Sequence, residues 1–175
     1  MLNRIFNLTD RARIIVLAVT VAIVLTVINI EITSKERIVR NGTTVLLRIA
    51  PRDPRSLLQG DYMALRYAMA DAVAREAELS GMGDGKAVVE LGELKEATFV
   101  ALYIGQPLQQ GQHLLRYRKR GDSVRLASDA YFFEEGSGQE YRAARFGELR
   151  INTNGDAVLI GLLDAEGERL GSSLF

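Results

Sequence analysis

The sequence predicts a mainly β domain, barrel- or sandwich-like with one or two short helices, outside the cytoplasm and behind a single N-terminal transmembrane helix. Three observations carry that prediction. An uncharged apolar run stands next to arginines at the N-terminus. Eight short apolar segments follow, each bounded by turn residues. Four Gly-Asp pairs stand at or close before the heads of such segments.

The apolar run "IIVLAVTVAIVLTVINI" covers Ile14 to Ile30, 17 residues without a charge, between Arg13 and Glu31. That length is at the short end of the roughly 17–25 residues a bilayer span needs, and Arg13 can snorkel to extend it. Arg4, Arg11 and Arg13 precede the run, which keeps the N-terminus cytoplasmic and sends the rest across. A cleaved signal peptide would carry a shorter apolar region and a small-x-small site. Here the run ends in "NIEITSKE", with Ile28, Ile30 and Ile32 where small residues should stand. An uncleaved anchor is therefore the better reading. The expected organisation is a cytoplasmic N-terminus over 1–13, a signal-anchor helix over 14–30, a stalk or helical continuation over 31–42, and a periplasmic domain over 43–175.

The predicted strands, in order, are Thr43–Pro51, Tyr62–Met69, Lys86–Leu91, Ala97–Ile104, His113–Arg120, Ser123–Ala127, Gly147–Asn152 and Ala157–Asp164. "DAVAREAELS", Asp71 to Ser80, is the one strong helix candidate, with an acid at its start and Gly81 beyond its end. A shorter helix is expected near "SDAYFFEE", Ser128 to Glu135. The Gly-Asp pairs are Gly60-Asp61, Gly83-Asp84, Gly121-Asp122 and Gly155-Asp156. Glycine accepts positive φ and aspartate bonds nearby amides of its own backbone, so such a pair makes a natural turn before a strand. "NTNGD", Asn152 to Asp156, reads as a hairpin turn with Asn-Gly at its centre.

Composition excludes several classes of function. The 175 residues hold 22 Lys+Arg against 22 Asp+Glu, so no overall basic excess favours nucleic acid as a partner. The chain has no cysteine, which removes disulfides, thiolate catalysis and thiolate metal sites. The single histidine, His113, makes a histidine metal site or a Ser-His-Asp triad a poor fit and reads as a strand-start residue. The densest carboxylate group, Glu134 and Glu135 with Glu140 and Glu148 nearby, lacks the alternating spacing of a calcium loop and reads as a solvated loop. No cofactor pattern is present, and neither a cofactor nor a metal is expected.

"GDYMALRY" resembles, at every fixed position, the signature that gives the GDYXXLXY family its name: Gly60, Asp61, Tyr62, Leu65 and Tyr67. The lead-in "DPRSLLQ" (Asp53 to Gln59) is similar to the family's. So are the distal block "YFFEEGSGQEYRAARFGELRI" (Tyr131 to Ile151), with Phe146 where a tyrosine is common, and the ending "AVLIGLLDAEGERL". The resemblance covers most of residues 43–170. It implies a bacterial inner-membrane protein with an extracytoplasmic domain, no established activity, and a polytopic membrane protein as partner.

Read on their own, Met63, Leu65 and Tyr67 share one face of a strand, and Tyr62, Ala64 and Arg66 the other. The first set reads as core. The motif is then a turn and a buried strand, or else Asp61, Tyr62 and Arg66 form a contact surface.

"DPRSLLQGDYMALRY" also resembles the stretch after the nucleophile in bacterial signal peptidases, and "RYRKRGDSVRL" is similar to the segment that carries their general base. The resemblance implies a related fold and a Ser-Lys hydrolase. A Ser-Lys dyad needs a serine a few residues before the Pro-Leu-Leu segment, but "IAPRD" (Ile49 to Asp53) offers no hydroxyl there. Ser56 lies too late, and Lys119 sits among alternating charges. No catalytic residue is assigned, and the expected role is that of an accessory or interaction protein.

Overall fold

The computed structural model describes residues 10–50 and 62–171. Gly60 and Asp61, which open the signature, and Ser56 lie outside them. The described chain forms two compact units, one ending at Arg37 and one beginning at Ile38.

The first unit is a helix. α1 runs Asp10–Asn41, and its apolar stretch is long enough to cross a bilayer. The predicted stalk is therefore a continuation of this helix. Three polar side chains interrupt the apolar run, and each bonds to the carbonyl four residues back. Thr20 donates to Val16 (2.9 Å), Thr26 to Ala22 (2.7 Å) and Asn29 to Leu25 (2.9 Å). Such back-bonding satisfies both threonine hydroxyl donors and one of the two Asn29 amide donors along the run.

The second unit is β-rich. Its strands are β1 (Thr43–Arg48), β2 (Tyr62–Ala64), β3 (Gly85–Leu91), β4 (Ala97–Leu102), β5 (Gln112–Arg120), β6 (Ser123–Leu126), β7 (Ala130–Phe132), β8 (Phe146–Ile151), β9 (Ala157–Leu163) and β10 (Arg169–Leu170). Helix α2 covers Ala70–Leu79. Two four-stranded antiparallel sheets, β1-β8-β9-β10 and β4-β3-β5-β6, flank a two-stranded β2-β7 ribbon. Both sheets feed one core: Val45, Leu47, Leu149, Ile151 and Leu162 from the first, Ala87, Val89, Leu115, Tyr117 and Leu126 from the second. α2 packs on β4 and β6 and buries Ala70, Val73 and Ala77.

The local reasons follow the sequence closely. α2 carries Asp71 in its first turn and ends at Ser80, with Gly81 at φ 64°, the left-handed turn that closes a helix. Each Gly-Asp pair within the described residues immediately precedes a strand: Gly83-Asp84 before β3, Gly121-Asp122 before β6, Gly155-Asp156 before β9. The expected self-bonding of aspartate is not what two of these turns use. Asp84 accepts from the Lys119 amide at 2.8 Å, across the sheet. In the β8–β9 turn it is Asn152 that accepts from the backbone, from Asn154 and Asp156, both at 2.9 Å.

Two expectations need correction. The strand predicted over Tyr62–Met69 is regular only to Ala64, because Ala70 already begins α2 and the chain must turn between them. The short helix expected near Ser128–Glu135 is instead β7, followed by a 3₁₀ helix at Ser137–Ala143. Cross-strand pairing with β2 overrides a weak local helical pattern there.

Candidate functional site

The signature and the distal block meet in space. β2 and β7 pair antiparallel, with Tyr62 opposite Phe132, Met63 opposite Tyr131 and Ala64 opposite Ala130. Beyond the regular ladder, the Leu65 amide donates to the Asp129 carbonyl at 2.7 Å, and Tyr67 makes a bridge with Ile49. The two faces expected from alternation hold to the end of the motif. Met63, Leu65 and Tyr67 are buried, Tyr62 and Ala64 are half-buried, and Arg66 is exposed.

The inward face is bound tightly to the rest of the domain. The ring of Tyr67 lies over Gly147 of β8, where an added methyl group would stand 3.0 Å from Cε1. That contact joins the last tyrosine of the signature to the glycine of "RFGELRI". The Tyr67 hydroxyl is buried without a hydrogen-bond partner among the described residues. Burial, and then the negative charge of Asp129, push its pKa well above the ordinary tyrosine value. Tyr131 behaves alike. Burial first, then Tyr141, raise it to about 12. Tyr131 and Tyr141 sit with ring centroids 5.3 Å apart, and Phe133 stacks on Tyr141 at 5.0 Å.

The outward face is different. Phe132 is 70% exposed and its ring meets that of Tyr62 at 5.7 Å. Arg66 pairs with Asp71 at the start of α2 at 2.5 Å, both side chains being more than half exposed. Such a surface pair contributes little to stability. The outward side thus carries an aromatic pair on the ribbon and, past the end of β2, a guanidinium paired with a carboxylate of α2. The buried phenols, held protonated, supply neither base nor nucleophile at neutral pH. The arrangement can bind, by apolar contact with directional polar groups at its border.

Sequence reasoning predicted the burial of Leu65 and Tyr67 and the outward side of Tyr62 and Arg66, but did not single out Phe132, Tyr141 or Gly147. No alternation in "AYF" marked Phe132, since all three residues are apolar; its exposure follows from the pairing of β7 with β2. The carboxylates of the distal block do not converge: Glu148 pairs with Arg169 of β10. Lys119 lies half-buried on β5 and bonds no hydroxyl among the described residues.

Neither the curated proteins nor the solved structures provide a match to the chain. A family model does, over residues 24–162, a span that starts inside the apolar part of α1 and ends in β9. It takes in both blocks joined by the β2–β7 ribbon, and with that much of the chain matched, this protein belongs to the GDYXXLXY protein family.

Proposed function

We propose that the chain is a single-pass inner-membrane protein whose periplasmic domain is an accessory or interaction module, docking on a polytopic membrane protein through the Tyr62–Phe132 face. The observation that carries this reading is the exposed aromatic pair on the ribbon that unites the signature with the distal block. Large apolar side chains left in water are costly, and a Phe 70% exposed beside a Tyr on paired strands is the kind of anchor that interfaces use. Anchoring is supported by α1. It carries arginines before an uncharged run, and Thr20, Thr26 and Asn29 within that run each bond back to a carbonyl of the same helix, which lowers the cost of placing them in hydrocarbon.

The test is co-purification from detergent-extracted membranes, with co-purifying chains identified by mass spectrometry. Phe132→Ala and Tyr62→Ala should each deplete one polytopic partner strongly while leaving the melting temperature nearly unchanged. Retention of every co-purifying chain in both variants would remove this face from the interface. A reporter fused after Phe175 should be active only outside the cytoplasm. Activity inside would reverse the topology.

A further inference from the structure

The outer face of the second sheet concentrates positive charge in a chain whose net charge is zero. On β5, Arg116, Arg118 and Arg120 are exposed, while Leu115 before them and Tyr117 between the first two are buried and Lys119 is half-buried. Register sets Lys86 of β3 directly opposite Arg116, and Arg125 of β6 directly opposite Arg118. Like charges facing each other across strands oppose pairing, so neither pair helps the fold. Three carboxylates answer part of this charge. Asp156 pairs with Arg116 at 2.8 Å, Asp129 with Arg125 at 2.9 Å, and Asp84 with Arg120 at 3.7 Å. Lys86 and Arg118 have no ion pair among the described residues. With Arg116, Arg120 and Asp84 they line an open cleft of about 460 Å³.

We propose that this face rests on the anionic headgroups of the bilayer. The inference depends on the anchoring reading above, because the anchor supplies the proximity. Residues 31–37 alone separate the apolar run from the domain, and as part of helix α1 they span only roughly 10 Å. An anionic surface at that range favours orientations that bring unpaired cations to the headgroups, and arginine on a strand offers phosphate a planar fork of donors. The cleft admits a phosphate group beside Lys86 and Arg118, the two cations with no carboxylate of their own.

The chain contains no tryptophan, so single-tryptophan variants report position cleanly. Ser123→Trp places the probe on the exposed start of β6, opposite Arg120. The full chain is reconstituted in nanodiscs of brominated phosphatidylcholine, with or without about one-third phosphatidylglycerol. Quenching is expected only in the anionic discs and should fade at high salt. Each unpaired cation at an anionic leaflet is worth about a fivefold shift in occupancy, so Lys86→Gln with Arg118→Gln should lower the docked-to-free ratio roughly twenty-five-fold. Equal quenching in both discs, none in either, or a double variant indistinguishable from the parent would overturn the inference. Val21→Trp, inside the apolar run, distinguishes the two readings. Quenched in both discs, it confirms the anchor whatever the face does. Unquenched, it overturns the anchor and this inference with it.

Discussion

Removing the hydroxyl of Tyr67 should stabilise the domain, although this tyrosine closes the family signature. Its side chain is 2% exposed and its oxygen lacks a partner among the described residues. A buried hydroxyl without a hydrogen bond costs about 1–3 kcal/mol, against which Tyr67→Phe leaves a void of one oxygen, worth a fraction of a methylene. A net gain of about 1 kcal/mol is expected, or about 3–4 °C for a domain of this size. Thermal unfolding of the full chain in detergent, followed by circular dichroism at neutral pH, measures it.

Alkaline pH gives the same reasoning a second test. The folded pKa lies above the ordinary value of 10.0 because burial disfavours the phenolate, with Asp129 adding to the effect. Above pH ~10 the unfolded chain loses this proton while the folded chain keeps it, so stability is full below that pH and falls above it. The slope is at most about 1.4 kcal/mol per pH unit for each such tyrosine. Tyr67→Phe removes one of these contributions, so its advantage over the parent should widen above pH ~10. A melting temperature about 3 °C lower at neutral pH would show that the hydroxyl makes a bond the domain relies on. Parallel curves above pH ~10 would refute the raised pKa.

The remaining predictions concern the two faces of the motif and its contact with β8. Leu65→Ala should cost about 2–5 kcal/mol in chemical unfolding, since Leu65 is 7% exposed within the core cluster. Arg66→Ala should stay within about 0.5 kcal/mol, its pair with Asp71 being solvent-exposed. Gly147→Ala should cost about 1–3 kcal/mol, because the new methyl group meets Tyr67 at 3.0 Å and Leu159 at 3.2 Å in a β8 flanked on both sides. An unchanged denaturation midpoint in that variant would place the Tyr67 ring elsewhere.

How much of this was legible in the sequence depends on the range of the interaction. Period-two alternation predicted which of Tyr62 to Tyr67 would be buried, because side-chain direction on a strand is a local property. Gly81 and the Gly-Asp turns were legible for the same reason. The pairing of β2 with β7 was not, since nothing local to "AYF" names its partner. Gly147 looked like any strand glycine. Its reason, a tyrosine ring from eighty residues earlier, exists only in three dimensions. Asp61 and Ser56 fall outside the described residues, and the contact or hydrolytic roles weighed for them are not tested by these contacts.

The strand order also sets a timetable for folding. β1 leaves α1 first, yet its ladder is with β8, Thr43 opposite Ile151 and Arg48 opposite Phe146, about a hundred residues downstream. The β4-β3-β5-β6 sheet has all its partners nearby and can form as soon as Leu126 has emerged. If the chain is threaded across the membrane from its anchored end, "TVLL" in β1 lacks its ladder partner throughout synthesis of the distal block, with, among the described residues, only the Leu46 amide bonded upstream of it, to the Lys95 carbonyl. The window in which this protein is most exposed to misassembly is therefore written into its topology. Truncations ending between Leu126 and Phe146 should hold a folded β4-β3-β5-β6 sheet while β1 remains open to protease.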